Sequence, residues 1–188
     1  MTDITRRSAL IATAGLIAAP ALAAPRKPSA FDFSFKSLED DKMDFAQFKG
    51  RVVLVVNTAS FCGYTYQYEG LEKLHAALTP AGLTVVGMPS TDFNQESASN
   101  TAVKEFCDAT FGVTFPMTEI THVRGAQANA FYKWVKAEKD WEPSWNFNKV
   151  LIGRDGQIVQ LFGSDSEPQG SAMTGWLDRA LKAQAPTA

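Results

Sequence analysis

Cysteine and histidine are scarce in this chain, which has two of each among its 188 residues. Two thiols are too few for a framework of disulfide bonds, and the histidines are not clustered with them as metal ligands would be. We expect His75 on a solvated helix face and His122 in a loop. Neither histidine has the neighbouring nucleophile and orienting group that a hydrolase needs. The sequence therefore predicts neither a bound metal nor a hydrolase site.

A strong excess of charge of either sign is also missing. The formal net charge is −2 at pH 7, so the composition gives no reason to expect a nucleic acid partner. Hydrophobic residues make up 45% of the chain, which is enough for the core of one globular domain of this size. We expect that domain to span residues 31–185, after a short basic linker over residues 25–30.

The first 24 residues have the pattern of an export signal rather than of a folded segment. A basic pair, Arg6-Arg7, precedes an uncharged run from Ala9 to Ala24, and Ala21-Leu22-Ala23 forms a small-x-small cleavage site. The run is shorter than the roughly 18 apolar residues of a membrane span, so we expect no stable membrane insertion. The sequence predicts a cleaved twin-arginine-type signal peptide over residues 1–24 and, in a bacterium, a periplasmic protein.

One cysteine lies where a buried strand gives way to a helix. Val52 to Val56 are apolar at every position, which is typical of a parallel strand covered on both faces. A helical pattern runs from Tyr66 to Leu78, with Thr65 as its expected N-cap. Cys62 falls between them, where ligands gather in open α/β sheets and where a helix N-terminus favours thiolate over thiol. The alternative is that Cys62 is a small apolar core residue.

The other predicted elements complete the order of an α/β fold. Phe31, Phe33 and Phe35 alternate with polar residues as in a half-buried strand, and residues 43–45 are expected to return beside it as an N-terminal β-hairpin. The later elements are a strand over Leu83–Met88, helices over Thr101–Phe111 and Ala126–Lys136, antiparallel strands over Val150–Ile152 and Ile158–Phe162, and a helix over Pro168–Lys182. This order predicts a thioredoxin-like fold with a central mixed sheet flanked by helices.

Two separate motifs carry a resemblance to a known family. The segment Asn57–Leu71, which contains Cys62, resembles the peroxidatic-site signature of the glutathione peroxidase family, and Trp145–Leu151 resembles its second signature. Phe106-Cys107 and Val113–Met117 are similar to the segment between them. The resemblance covers nearly all of the chain from Phe31 onwards. It implies a thiol peroxidase that reduces hydrogen peroxide and organic or lipid hydroperoxides, with no bound cofactor.

The resemblance also implies a set of catalytic residues. Cys62 matches the reactive cysteine or selenocysteine, while Gln95, Trp145 and Asn146 match the other three members of the family's tetrad. Amide and indole N–H groups suit this chemistry because they can stabilise the oxygen that leaves the peroxide. Without the motifs, Trp145 would be interpreted as a packed aromatic and Asn146 as a loop-forming residue.

Cys107 matches the resolving cysteine of the two-cysteine branch of that family. In that role it would attack a Cys62 sulfenic acid, and thioredoxin, a thioredoxin-like protein or glutathione would reduce the resulting disulfide. The two cysteines are predicted on different elements, and a disulfide needs Cα atoms within about 7 Å. We therefore expect the region Ser99–Phe111 to unwind in part when the protein is oxidised. The alternative is that Cys107 is inert core filling.

Three departures from the family pattern affect these expectations. Pro89 is followed by Ser90-Thr91-Asp92 instead of cysteine, asparagine and glutamine, and the loop is one residue shorter before Gln95. Phe61 replaces a common lysine, and Tyr66 replaces a common proline. The chain has no long insertion between Lys136 and Trp145, where tetrameric members carry an assembly loop. We therefore expect a monomer with an open site that admits bulky hydroperoxides.

Other functions on the same fold fit the sequence less well. A disulfide oxidoreductase usually carries Cys-x-x-Cys, but Thr65 occupies the fourth position here. A copper-delivery protein would need a second nearby cysteine and a histidine. A peroxide sensor that passes its oxidation to a partner protein would use the same Cys62 thiol, so this alternative stays open.

Overall fold

The computed structural model describes residues 26–185, and the predicted signal peptide lies outside them. The helices are α1 (Gln67–Leu78), α2 (Asn100–Phe111), α3 (Ala130–Lys139) and α4 (Ser171–Lys182). The strands are β1 (Ser34–Lys36), β2 (Lys42–Asp44), β3 (Val52–Thr58), β4 (Leu83–Pro89), β5 (Lys149–Ile152) and β6 (Ile158–Phe162). Short 3-10 helices cover Ala30–Asp32 and Phe45–Phe48.

The central sheet has four strands in the order β4-β3-β5-β6. Strands β3 and β4 are parallel, whereas β5 is antiparallel to both β3 and β6. Every residue of β3 and β4 is buried, as the continuous apolar runs predict. Strands β1 and β2 form a separate antiparallel hairpin. The predicted thioredoxin-like architecture, with its mixed sheet and N-terminal hairpin, is confirmed.

Strand β3 divides the interior into two cores. Val52, Leu54 and Val56 join the core that contains residues of α1, α2 and α4. Val53 and Val55 join the core that contains the hairpin and α3. Because successive strand side chains point to opposite faces, each face of β3 packs against its own layer. The end of β3 is thus held firmly between two layers.

Several predicted local features are wrong in detail. The residues around Phe31 form a 3-10 helix rather than a strand, because the Asp32 carboxylate accepts a hydrogen bond from the Ser29 amide and closes a turn. Helix α3 begins at Ala130, where the Asn129 side chain accepts from the Tyr132 amide. His75 is half-buried, and its Nδ1 accepts from the backbone of β4.

The amino-terminal end of the described chain packs against the body of the protein. Ser29 and Ala30, at the end of the predicted linker, are buried, and the Ala30 amide donates to the Gly156 carbonyl at 2.9 Å. Within residues 26–185, no helix combines the length and apolar character needed to cross a bilayer.

A buried lysine ties β5 to α1. The Lys149 Nζ donates to Gln67 Oε1 at 2.6 Å and to the Ser166 carbonyl at 2.7 Å. Burial lowers the pKa of Lys149 to about 8, while the negative charges of Glu167 and Asp165 act in the opposite direction. The lysine is therefore held by hydrogen bonds at a position where its charge is costly.

We predict that Lys149 makes stability depend on pH above neutrality. Its pKa is lower in the folded state, so the unfolded chain binds more protons between about pH 8 and pH 10.4, and this group's contribution to stability rises with pH there. As the pH rises from about 8 to 10, the unfolding free energy of wild type should therefore increase by about 2 kcal/mol relative to that of Lys149→Met. Urea unfolding under reducing conditions measures it.

The matched control is Lys73→Met, because Lys73 is an exposed lysine of α1. The difference in unfolding free energy between wild type and Lys73→Met should be the same at about pH 8 and pH 10. A constant difference for Lys149→Met as well would contradict the prediction.

Candidate functional site

Cys62 lies in the tight turn between β3 and α1, as predicted. The Cys62 amide donates to Thr65 Oγ1 at 3.0 Å, and that hydroxyl donates to the Ala59 carbonyl at 2.9 Å. Thr65 therefore closes the turn across Cys62, whereas the predicted N-cap role is wrong because Tyr66 occupies the N-cap of α1. The Thr65 hydroxyl makes both of these hydrogen bonds within the turn, so it does not cap α1.

The Cys62 sulfur combines burial with a backbone donor. Its Sγ accepts from the Tyr64 amide at 3.4 Å, just before the first turn of α1. An N–H donor and a helix N-terminus both stabilise negative charge on sulfur. Cys62 belongs to the core that contains α1 and α2, and 8% of its residue surface remains exposed.

Asn57, wholly buried near the end of β3, holds the second motif beside this turn. Its Nδ2 donates to the Trp145 carbonyl at 3.0 Å, and its Oδ1 accepts from the Asn148 amide at 3.0 Å. Its own carbonyl accepts from the Phe147 amide at 2.6 Å. In the sequence, Asn57 stands out only as the first residue of a motif. A polar residue at the end of a fully apolar strand is the signal that could have revealed this role.

Asn146 and Gln95 meet side chain to side chain. The buried Asn146 donates its Nδ2 to Gln95 Oε1 at 3.0 Å, and its backbone carbonyl accepts from Ser164 Oγ at 2.6 Å. The next residue, Phe147, has a φ of 59°, a left-handed conformation that is uncommon outside glycine. This local backbone shape turns Asn146 into the interior while Trp145 stays outside.

The loop that carries Gln95 is joined directly to the residue before Cys62. The Gln95 carbonyl accepts from the Phe61 amide at 2.9 Å. Since the Gln95 side-chain oxygen is taken by Asn146, its NH2 group is the part left to donate to a substrate. The one-residue shortening of the loop therefore does not remove Gln95 from the site.

Trp145 lies at the rim, with 41% of its surface exposed. Its ring packs against Phe93 with centroids 5.4 Å apart. The structure thus connects the segments that carry the four predicted catalytic residues. The Phe61 amide bonds the Gln95 carbonyl, the Gln95 and Asn146 side chains bond each other, and Asn57 holds the Trp145 carbonyl.

Glu96 is a site residue that sequence reasoning missed. Its Oε1 accepts from the Ser60 amide at 3.0 Å and from Ser60 Oγ at 2.5 Å, which makes a second clamp between this loop and the Cys62 turn. Burial raises the pKa of the Glu96 carboxyl. The contact joins positions 36 residues apart, so no local pattern in the sequence marks it.

A second acidic residue anchors the other end of the same loop. Asp92 Oδ1 lies 2.6 Å from His122 Nδ1, and Asp92 Oδ2 accepts from the Val123 amide at 2.7 Å. The loop is therefore held on both sides of Gln95.

Cys107 lies on α2, as predicted, and is only 1% exposed. Burial raises its pKa to about 11, so the thiol stays neutral near pH 7. Both cysteines are free thiols in this structure. The Phe61 and Phe106 rings, which precede the two cysteines, are 6.2 Å apart between centroids. The Cys62 turn and α2 are therefore neighbours, with one thiol near the surface and the other inside.

Comparison with known proteins places this architecture among peroxidases. The glutathione peroxidase family model matches residues 30–136. A glutathione peroxidase of Lactococcus lactis is 42% identical over 144 residues, which is 74% of this chain and 92% of the relative. The hydroperoxy fatty acid reductase of Synechocystis is 35% identical over 149 residues, covering 73% and 88% of the two chains. The crystal structure of Trgpx in apo form, 36% identical, gives a TM-score of 0.70 and covers 85% of this chain and 100% of that chain.

Proposed function

The chain belongs to the glutathione peroxidase family and is a peroxidase, and we propose that it reduces hydrogen peroxide and organic hydroperoxides through a sulfenic acid on Cys62. The observation that carries this proposal is the chain of bonds from Phe61 through Gln95 to Asn146. It attaches the loop of Gln95, and through it the Asn146 side chain, to the residue before Cys62, which is the more exposed of the two cysteines.

In the first step, the Cys62 thiolate attacks the terminal peroxide oxygen. The O–O bond breaks, Cys62 becomes a sulfenic acid, and the second oxygen leaves as water or an alcohol after taking a proton. Negative charge develops on that leaving oxygen in the transition state. The Gln95 and Asn146 amides and the Trp145 indole N–H are the donors that stabilise it.

In the second step, Cys107 forms a disulfide with Cys62 and releases water. A thioredoxin-like protein then reduces the disulfide by exchange, and glutathione is the alternative reductant. Cys107 is buried on α2 and neutral, so it must leave the core before it can react. Opening of α2 is therefore part of the proposed cycle.

We predict that Cys107→Ser separates the two steps. The variant should be oxidised by one equivalent of peroxide at the wild-type rate but should lose thioredoxin-dependent turnover, whereas Cys62→Ser should lose both. Stopped-flow fluorescence follows the first oxidation, and NADPH consumption in a thioredoxin–thioredoxin reductase assay follows turnover.

Undiminished multiple turnover by Cys107→Ser would show that Cys107 is not the resolving thiol. Rapid oxidation of the wild-type protein without turnover on thioredoxin or glutathione would instead favour the peroxide sensor, which needs its client protein to be reduced.

Exposed aromatic residues surround the Cys62 turn and suit an apolar substrate. Phe61 is 66% exposed and Tyr66 is 53% exposed, and both belong to the turn that holds the thiol. Trp145 adds a third ring at the rim of the site. An acyl chain that covers these rings would remove apolar surface from water. This supports a preference for fatty acid hydroperoxides, the substrate class named for the Synechocystis relative.

We predict that Phe61→Ser lowers kcat/KM for a fatty acid hydroperoxide by about five- to tenfold, because partial burial of a phenyl ring contributes about 1 kcal/mol. The rate with hydrogen peroxide should not change, because this substrate has no acyl chain. Equal losses with both substrates would argue against an apolar contact at Phe61.

We also propose that the protein is exported and acts as a monomer. The export proposal rests on residues 1–24, and the monomer on the short segment between α3 and β5. In a bacterial host, Arg6→Lys with Arg7→Lys should leave an unprocessed precursor in the cytoplasm, while wild type is recovered from the periplasm at a lower mass. Processing of the double variant at the wild-type level would contradict twin-arginine export. Light scattering measures the oligomeric state.

A further inference from the structure

A positive charge and two aromatic rings form a row at the rim of the site. The Arg124 guanidinium lies over the Phe93 ring, with its central carbon 5.3 Å from the ring centre. The Phe93 ring in turn packs against the Trp145 ring, with centroids 5.4 Å apart. A guanidinium at this distance is attracted by the face of an aromatic ring. One phenyl ring therefore separates the Arg124 cation from Trp145, a proposed donor to the leaving oxygen.

The backbone of Arg124 is bonded to the same loop that carries Phe93. The Arg124 amide donates to Asp92 Oδ2 at 3.2 Å, and Asp92 is the residue before Phe93. The Asp92 carboxylate also holds His122, with Oδ1 2.6 Å from the His122 Nδ1 atom. The position of Arg124 beside the row of rings is therefore fixed by contacts of its backbone as well as of its side chain.

The Arg124 guanidinium keeps its N–H groups for a ligand. The second nearby carboxylate, Glu142, lies 2.9 Å from Lys136 Nζ and also accepts from the Gly125 amide. In the part of the chain that the structure describes, Arg124 forms no salt bridge with Asp92 or Glu142. Its side chain is exposed, and the planar guanidinium can donate two parallel hydrogen bonds to a carboxylate.

The exposed rings of the site extend in two directions. Phe61 packs near Phe106, with centroids 6.2 Å apart, and Phe106 lies against the core of α1, α2 and α4. Trp145 packs instead on Phe93, which belongs to the core of the hairpin and α3. These cores lie on opposite faces of the central sheet, so a ligand that covers both Phe61 and Trp145 reaches towards both faces.

A fatty acid with a hydroperoxide in mid-chain has the shape for such a surface. One arm ends in a methyl group and the other in a carboxylate. With the peroxide at Cys62, the methyl arm can cover Phe61, while the second arm passes Trp145 and Phe93 and brings its carboxylate to Arg124. An ester of the same acid has the same arms but lacks the negative charge.

We propose that Arg124 is a specificity-determining residue that binds the carboxylate of free fatty acid hydroperoxides and so favours the free acids over their esters. This inference rests on the proposed function, because it concerns which organic hydroperoxides reach Cys62. Arg124 takes no part in the bond changes at the Cys62 sulfur, so the reaction itself is the same for acid and ester.

The test compares a linoleic acid hydroperoxide with its methyl ester, both below the critical micelle concentration. Stopped-flow fluorescence of the reduced protein gives the second-order rate constant of the first oxidation, which does not depend on the reductant. Arg124→Gln should lower this constant about threefold to fivefold for the acid at low salt, as expected for an exposed ion pair, and leave the ester and hydrogen peroxide unchanged. Arg124→Lys should retain most of the preference, and added salt should reduce it in wild type.

Arg179→Gln is the matched control. Arg179 also lies over an aromatic ring, 4.1 Å from the centre of Trp176, and the substitution removes the same charge. Its helix, α4, is far from the site: Arg154 donates both to the last turn of α4 and to the Gly50 carbonyl, just before β3, whereas Cys62 follows the other end of β3. Arg179→Gln should keep the wild-type rate constants for all three substrates.

Equal acid-to-ester ratios in wild type and Arg124→Gln would overturn the inference. If both substrates lost rate equally in the variant, Arg124 would only support the Phe93 and Trp145 rings. Failure of the proposed function gives a different result, since neither hydrogen peroxide nor either organic hydroperoxide would then oxidise Cys62 of the wild-type protein.

Discussion

The buried side chain of Asn57 is the contact on which the arrangement of the site depends. It lies near the end of β3 and bonds both sides of the turn that presents Trp145 and Asn146. β3 is packed on both faces, so Asn57 has little freedom to move. A strand that serves the core therefore also fixes the distance between two motifs that are 88 residues apart at this bond. Preorganisation of this kind lets donors act without rearrangement when charge develops.

The two cysteines are held in very different ways, and the proposed chemistry needs this difference. Cys62 belongs to a turn closed by Thr65 and clamped to the neighbouring loop through Ser60 and Phe61. Cys107 belongs to a helix that covers one face of the sheet. Attack on peroxide needs the Cys62 thiol in a fixed geometry, whereas Cys107 has to move before it can react with Cys62. The tightly bonded turn therefore holds the thiol that attacks peroxide, and helix α2 holds the thiol that forms the disulfide.

Patterns within single segments predicted much of this protein. The unbroken apolar run of β3 and the turn after it were enough to place Cys62 at the edge of the sheet, and the two motifs supplied the tetrad. The contacts that sequence reasoning missed join distant positions, such as the clamp of Glu96 on Ser60 and the bond of Lys149 to Gln67, 82 residues away. The predicted capping role of Thr65 is wrong because its hydroxyl bonds Ala59 and Cys62 instead of capping the helix. Such choices depend on tertiary neighbours rather than on local propensity.

Lys149 shows how a buried charge can fix one arrangement of the fold. It is expensive to bury, yet both of its hydrogen bonds go to well-placed oxygens on Gln67 and Ser166. Gln67 is the first residue of α1, and Ser166 lies between β6 and α4, so the lysine joins β5 to two other segments. A satisfied buried polar group favours a single arrangement of its partners. The first turn of α1, which follows the turn that holds Cys62, is therefore attached to the sheet by a specific contact as well as by apolar packing.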